Sequence, residues 1–216
     1  SLTTALKTLT NDVEQEVHRV KGLHRKLIPR RFDDIKGLKL HGKFLAGEFP
    51  GGEYFDLCRS QRSIVLMMCS TSSYLLSSAF ISSFFKFKGS SSLTFESLKD
   101  LKNMLDQDFL YLKDTDTDIQ REYLLLHVDL KTMNLHGIIR GDYRMISCEK
   151  GDLLQGIQQE GLQLEFHEQL QRGERVSLIS PGLLKNWKTY MENKDLVTFV
   201  KENREIDIVD FVEELM

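Results

Sequence analysis

Over the first 28 residues apolar positions recur at Leu2, Leu6, Leu9 and Val13, then at Val20, Leu23 and Leu27, in steps of three and four broken only at Glu16. That rhythm predicts a helix with one narrow apolar seam, which Pro29 stops. From Gly37 the pattern shortens to strands: Leu38, Leu40 and Leu45 flank one, and 54–58 and 63–68 are two more, separated by Gly, Pro and polar turns. Leu75, Leu76, Ala79, Phe80 and Phe84 return to helical spacing, predicting a helix over about 72–87. A second helix starts after the flexible 89–92, with Thr94 as cap, Leu93 and Leu98 as a hydrophobic staple, and Leu98, Leu101 and Leu105 as its buried stripe.

Beyond this the chain reads as strands at 123–129, 135–140, 143–148, 162–170 and 175–180. The joins 131–134, 141–142 and 171–174 are short enough for hairpins, which predicts antiparallel pairing. Leu162, Leu164 and Phe166 alternate with polar residues, marking one buried face, and Val209, Val212 and Leu215 predict a closing helix. Two layers of antiparallel strands with helices outside, an α+β sandwich, is the architecture this order suggests.

From Ser63 to Phe85 there are 23 residues without a charge, long enough to cross a bilayer. Nine of the 23 are Ser or Thr, so a buried strand followed by a buried helix rich in small residues accounts for it better than a span. Lys and Arg total 29 against 32 Asp and Glu, a formal charge of −3, which argues against nucleic acid as a partner. The three cysteines, Cys58, Cys69 and Cys148, have neither disulfide-framework nor zinc spacing, and a reducing, cytoplasmic setting fits them. The start at Ser1, directly into a helical pattern, leads to the expectation of a fragment cut from a longer protein.

Familiar chemistries fail in turn. Asp114, Asp116 and Asp118 imitate the opening of a calcium loop, but Ile119 and Leu125 stand where that loop needs Gly and a bidentate acid. The six histidines (His18, His24, His41, His127, His136, His167) show no helical ligand spacing. No complete phosphate-binding GxxxxGK[ST] occurs, Phe44 following the GLKLHGK of 37–43, and no GxGxxG or GxSxG motif occurs. Cys69 ends an apolar strand, a place where a nucleophile is sometimes displayed, although a buried structural thiol is the commoner occupant.

Four segments in order nevertheless carry a resemblance. They are HRKLIPRRFDDIKGLKLHGKFLAG, GGEYFDL (51–57), IVLMMCSTSSYLLSSAFISS and RGERVSLISPGLLKN (172–186). Together, from about Leu23 to the C-terminus, they resemble the SpoIIE- and RsbU-like bacterial serine phosphatase domains, of the type 2C metal-dependent phosphatase family. The likeness is to that family's linker helix and first strand, its GGDYYDF, its Asp-Val-Ser-Gly-His-Gly turn with a buried helix, and its strand ending in Thr-Asp-Gly-Leu. The resemblance implies a type 2C phosphatase-like α-β-β-α sandwich, two antiparallel sheets flanked by helices, over 31–216, preceded by a linker or dimerisation helix over 1–30. In that family carboxylates from these motifs hold two Mn²⁺ or Mg²⁺ ions that activate water against a phosphoserine.

Here the motifs depart from the pattern at the ligands. The resemblance places Glu53 where the family has the acid of its first motif, Cys69 at the acid of the second and Pro181 at the acid of the third; Asp56 persists, and Ser72 and Tyr74 replace two turn glycines. A proline ligates nothing, and a thiolate is too soft a donor for a hard cation. The expectation is therefore a degenerate metal site at Glu53, Asp56, Cys69 and Pro181, no catalytic residues and no cofactor. The implied function is that of a pseudophosphatase module in bacterial signalling. Its implied partner is a protein, such as a phosphoprotein or an anti-sigma-factor antagonist. The seam Leu2, Leu6, Leu9, Val13, Val20, Leu23 and Leu27 either packs on the domain's own body, joins two protomers or links to a sensor. The alternative is a phosphatase with a rearranged metal site built from Glu53, Asp56 and acids such as Asp142 or Asp152.

Overall fold

The computed structural model describes residues 35–44, 52–89, 93–110, 121–155, 163–190 and 195–215, with single positions or pairs and one short run between 11 and 32. Its larger sheet contains β1 (Gly52–Arg59), β2 (Ser63–Thr71), β3 (Arg121–Asp129), β4 (Asn134–Arg140) and β7 (Gln163–Gln169), in the order β1-β2-β3-β4-β7. The smaller contains β5 (Arg144–Ser147), β6 (Gly151–Asp152) and β8 (Val176–Ile179), in the order β6-β5-β8. Every pairing is antiparallel.

Strand periodicity builds the layers. Along β2 and β3, Val65, Met67, Cys69, Tyr123 and Leu125 face one way and join the helices α1 (Tyr74–Lys88) and α2 (Phe95–Leu110) in one core. The intervening Leu66, Met68, Leu124 and Leu126 meet Tyr143 and Met145 of the smaller-sheet segment in a second core between the sheets. Ile146 and Ile179, on the far face of the smaller sheet, pack against α3 (Pro181–Tyr190), α4 (Leu196–Glu202) and α5 (Ile208–Leu215). The result is the expected helix–sheet–sheet–helix sandwich. Both faces of β2 are covered, which is why its sequence is apolar almost throughout.

The uncharged segment resolves into β2 and α1, joined at Ser73, whose side chain caps α1 by accepting from the Leu76 N–H. Among the described residues no helix is long and apolar enough to cross a membrane. At α2, Thr94 N–H donates to Ser97 Oγ at 2.8 Å and Ser97 N–H to Thr94 Oγ1 at 3.2 Å, a reciprocal cap, and Leu98, Leu101 and Leu105 are fully buried as their spacing predicts.

Several expectations are corrected. The 131–134 join is a hairpin, but 141–142 and 171–174 carry the chain from the larger sheet to the smaller one. Gly141 (φ 108°) and Gly173 (φ 82°) turn the chain there in the left-handed region that glycine favours. Between 35 and 44 the structure shows only an isolated bridge, Ile35 to Leu38, instead of a strand. Helices α3 and α4 were not expected.

The N-terminal positions described, among them His18, Gly22, Leu23 and Leu27, are helical. Leu23 and Leu27 are exposed, at 53% and 44%, whereas Ile28 is buried in the helix-side core. The seam positions Leu2, Leu6, Leu9, Val13 and Val20, and the acids Asp114, Asp116 and Asp118, lie outside the described residues.

Candidate functional site

The structure joins two of the four motif segments directly. β8 ends at Ile179, Ser180 follows, and α3 begins at once with Pro181, at the first helical position where a missing N–H costs nothing. The Ser180 carbonyl accepts the first helical bond, from Leu184 N–H, at 3.0 Å, and Ser180 Oγ accepts from Leu183 N–H at 3.3 Å. The Gly182 N–H remains, and it donates to Glu53 Oε1 at 2.7 Å. Ser180 Oγ donates to the other oxygen, Oε2, also at 2.7 Å. Glu53, reaching across from β1, is thus part of the cap of α3, where a helix N-terminus favours a negative charge. Gly182 makes the approach possible, because a Cβ there would sit 2.5 Å from Glu53 Oε1.

Burial pushes the Glu53 carboxyl above the ordinary glutamate range, and the bonds from Ser180 and Gly182 pull in the opposite direction. The nearby charge of Glu122 adds to the rise. Beside this cap Tyr143 is fully buried, its hydroxyl donating to the Glu122 carbonyl at 3.2 Å, and burial raises its phenol well above the usual value.

The other two motif positions lie elsewhere. Glu53 is paired with Ser70, and Tyr54 with Cys69, so Cys69 shares the helix-side face with Tyr54 while Glu53 points to the opposite face. The Cys69 thiol is buried among apolar side chains and burial raises its pKa, which keeps it protonated. Asp56 stands three residues from Glu53 on the same strand, hence on the Tyr54 face. There it accepts from Tyr54 Oη at 2.8 Å and Leu57 N–H at 2.7 Å, and it pairs with Lys88 at the end of α1. Ser72 is exposed in the turn before α1; the Tyr74 side chain lies outside the described residues.

The acids of the alternative reading are engaged as well. Asp152 accepts from Arg144 Nη1 at 2.5 Å, and Asp142 lies 3.8 Å from Arg144 Nε. A hard divalent ion does not fit this donor set. One carboxylate caps a helix, another is held by Lys88 on the far side of the sheet, the thiol is protonated and the proline has no donor. Among the described residues no three His, Cys, Asp or Glu side chains come together to hold a metal.

Sequence reasoning named Glu53, Cys69, Asp56 and Pro181 but missed Ser180, Gly182 and Lys88, the groups that engage the two acids. A Ser-Pro-Gly run after a strand was the available signal for a capped helix.

No family model matches this chain, and no curated protein matches it. Among solved structures it is similar to the phosphatase domain of SpoIIE from Bacillus subtilis, in a crystal form without domain swapping. The identity there is 16%, over 79% of this chain and 77% of the other, with a TM-score of 0.48. It is also similar to a structure of the RsbU and RsbW domains of a Mycobacterium tuberculosis protein, at 16% identity over 76% of this chain and 50% of that one, TM-score 0.47. A third similar structure is a stage II sporulation E family protein from Thermanaerovibrio acidaminovorans, at 9% identity over 59% of this chain and 78% of the other, TM-score 0.43.

Proposed function

We propose that this chain is a phosphatase-like domain without phosphatase activity, working as a signal-transmitting or protein-interaction module. The observation that carries the reading is the Glu53 cap. The acid that the resemblance places at the first metal position already accepts two hydrogen bonds at 2.7 Å from Ser180 and Gly182, at the head of the helix whose first residue is Pro181. Recruiting Glu53 to an ion would uncap α3, and Pro181 would contribute nothing in return.

Within the same proposal, residues 1–30 are a linker helix that contacts a second copy or an upstream sensor, and 31–216 are the body. Leu23 and Leu27 support this, being helical and exposed just before the buried Ile28. The partner is a protein, such as a phosphoprotein or an anti-sigma-factor antagonist, in a bacterial signalling pathway. A cytoplasmic setting goes with three free cysteines.

The test is turnover of a generic aryl phosphate in millimolar Mn²⁺. The expected result is no rate above the metal-only background. Manganese-dependent turnover that disappears in Glu53→Gln, a change that keeps a cap of the same shape, would overturn the proposal.

A further inference from the structure

Three of the six histidines, scattered in sequence, meet in one row. His127 on β3 is paired with His136 on β4, which is paired with His167 on β7, so all three side chains stand on the same face of the larger sheet. Their ring centroids are 6.3 Å apart for His127 and His136 and 4.5 Å for His136 and His167. The row is covered by the entry to α2, where the Phe95 ring lies 4.8 Å from His136 and Leu93 packs on the helix-side core.

His127 is the deep end, 7% exposed; neither of its ring nitrogens makes a hydrogen bond of ordinary length and angle, although the Leu93 backbone lies near enough to favour its charged form. A buried imidazole left this way is costly, and it becomes more so when charged. Transition-metal binding does not explain the row. A tetrahedral ion about 2.0–2.1 Å from each nitrogen draws two imidazole centroids to within about 5 Å, and 6.3 Å between His127 and His136 is too wide; among the described residues no three His, Cys, Asp or Glu side chains, this row included, come together to hold a metal. Proton uptake is the chemistry that remains.

We propose that the row His127, His136 and His167 is a proton-driven latch: neutral, it holds the Leu93–Phe95 entry of α2 against the sheet, and protonated, it releases that segment. The charges facing the row do not neutralise it. On β3, Asp129 acts on His127 but already binds the N–H groups of Lys131 and Thr132 at 2.9 and 2.7 Å. On β7, Glu165 pairs with Lys99 of α2 at 3.5 Å, and Glu96 lies 4.0 Å from the same lysine. The Lys99 ammonium itself stands 4.8 Å over the Phe95 ring, a positive charge on the lid of the row. β2 brings the apolar Val65 opposite His127.

The titration supports the geometry. Burial lowers the His127 pKa below 6.5, although the Leu93 backbone and Asp129 counter it, and burial with the two neighbouring imidazoles lowers that of His136. A depressed histidine pKa means that the open form takes up protons first. The stabilisation is complete above about pH 6.5 and is lost as pH falls through the folded values.

Amide hydrogen exchange on the full chain, corrected for intrinsic rates, tests this at pH 7.5 and pH 5.0. The amides of the first two turns of α2 should lose protection severalfold, while those of α4 and α5 keep theirs. His127→Leu should remove most of the loss. His136→Phe, which keeps a ring against Phe95, makes the same test if His127→Leu does not fold. Unchanged α2 protection in the parent chain, or equal loss in a folded variant, overturns the proposal.

Discussion

Glu53 shows how a carboxylate on one element can be engaged by the end of another. Its side chain reaches the head of α3, where Gly182 has no Cβ to refuse it and Ser180 offers a hydroxyl. Burial makes ionisation costly there, so the folded chain holds the Glu53 proton more tightly than the unfolded chain does. The sign follows. Stability from this group is complete below about pH 4.5, its ordinary value, and is lost as pH rises through the folded pKa. Glu53→Gln, which keeps an acceptor for Gly182 and cannot ionise, should therefore gain melting temperature relative to the parent as pH rises from 4.5 to 8. Parallel curves over that range would show that Glu53 carries no buried charge. Sequence made the identity of these residues legible, since Cys69 and Pro181 stand where the motifs they resemble carry acids and Glu53 stands where they carry Asp. What it hid was side: Glu53, Asp56 and Cys69 look like one cluster in a motif, whereas strand parity sends Glu53 to one face and the other two to the opposite face.

At the scale of elements, long periodic segments were readable and the junctions were not. β2, β3, α1 and the Leu98–Leu101–Leu105 stripe follow directly from spacing, because both faces of those strands and one face of each helix must be buried. Gly141 and Gly173 carry the same turn signal whether the chain folds back beside itself or steps to another sheet, so two of three expected hairpins turned out to be crossings. Helices α3 and α4, of 10 and 7 residues, were not read from spacing, yet each had a local start signal: Ser180-Pro181, and Asp195, whose side chain accepts from Thr198 N–H at 2.9 Å. The N-terminal helix belongs to this scale too. Ile28 is part of the body's core, so a truncation must stop before it. Light scattering should give a dimer, twice 25.1 kDa, for the full chain and a monomer for a chain that starts at Ile28. Equal association states for the two would assign the exposed Leu23 and Leu27 another role.

Across the whole molecule, three apolar cores stack in sequence: helices on the larger sheet, sheet on sheet, and the smaller sheet on the last three helices. A carboxylate cluster between sheets would repel itself and need cations to hold it together. Here the only carboxylate reaching the head of α3 from β1 is received by protein donors, and Tyr143 and Met145 close the space between the sheets beside it. That the domain is complete without ions is the central claim of the proposal. Titration calorimetry of the full chain with Mn²⁺ at pH 7.5 tests it most directly. The account expects no saturable heat up to millimolar metal, in the parent and in Glu53→Gln alike; one or two equivalents bound by the parent and lost in Glu53→Gln would contradict it.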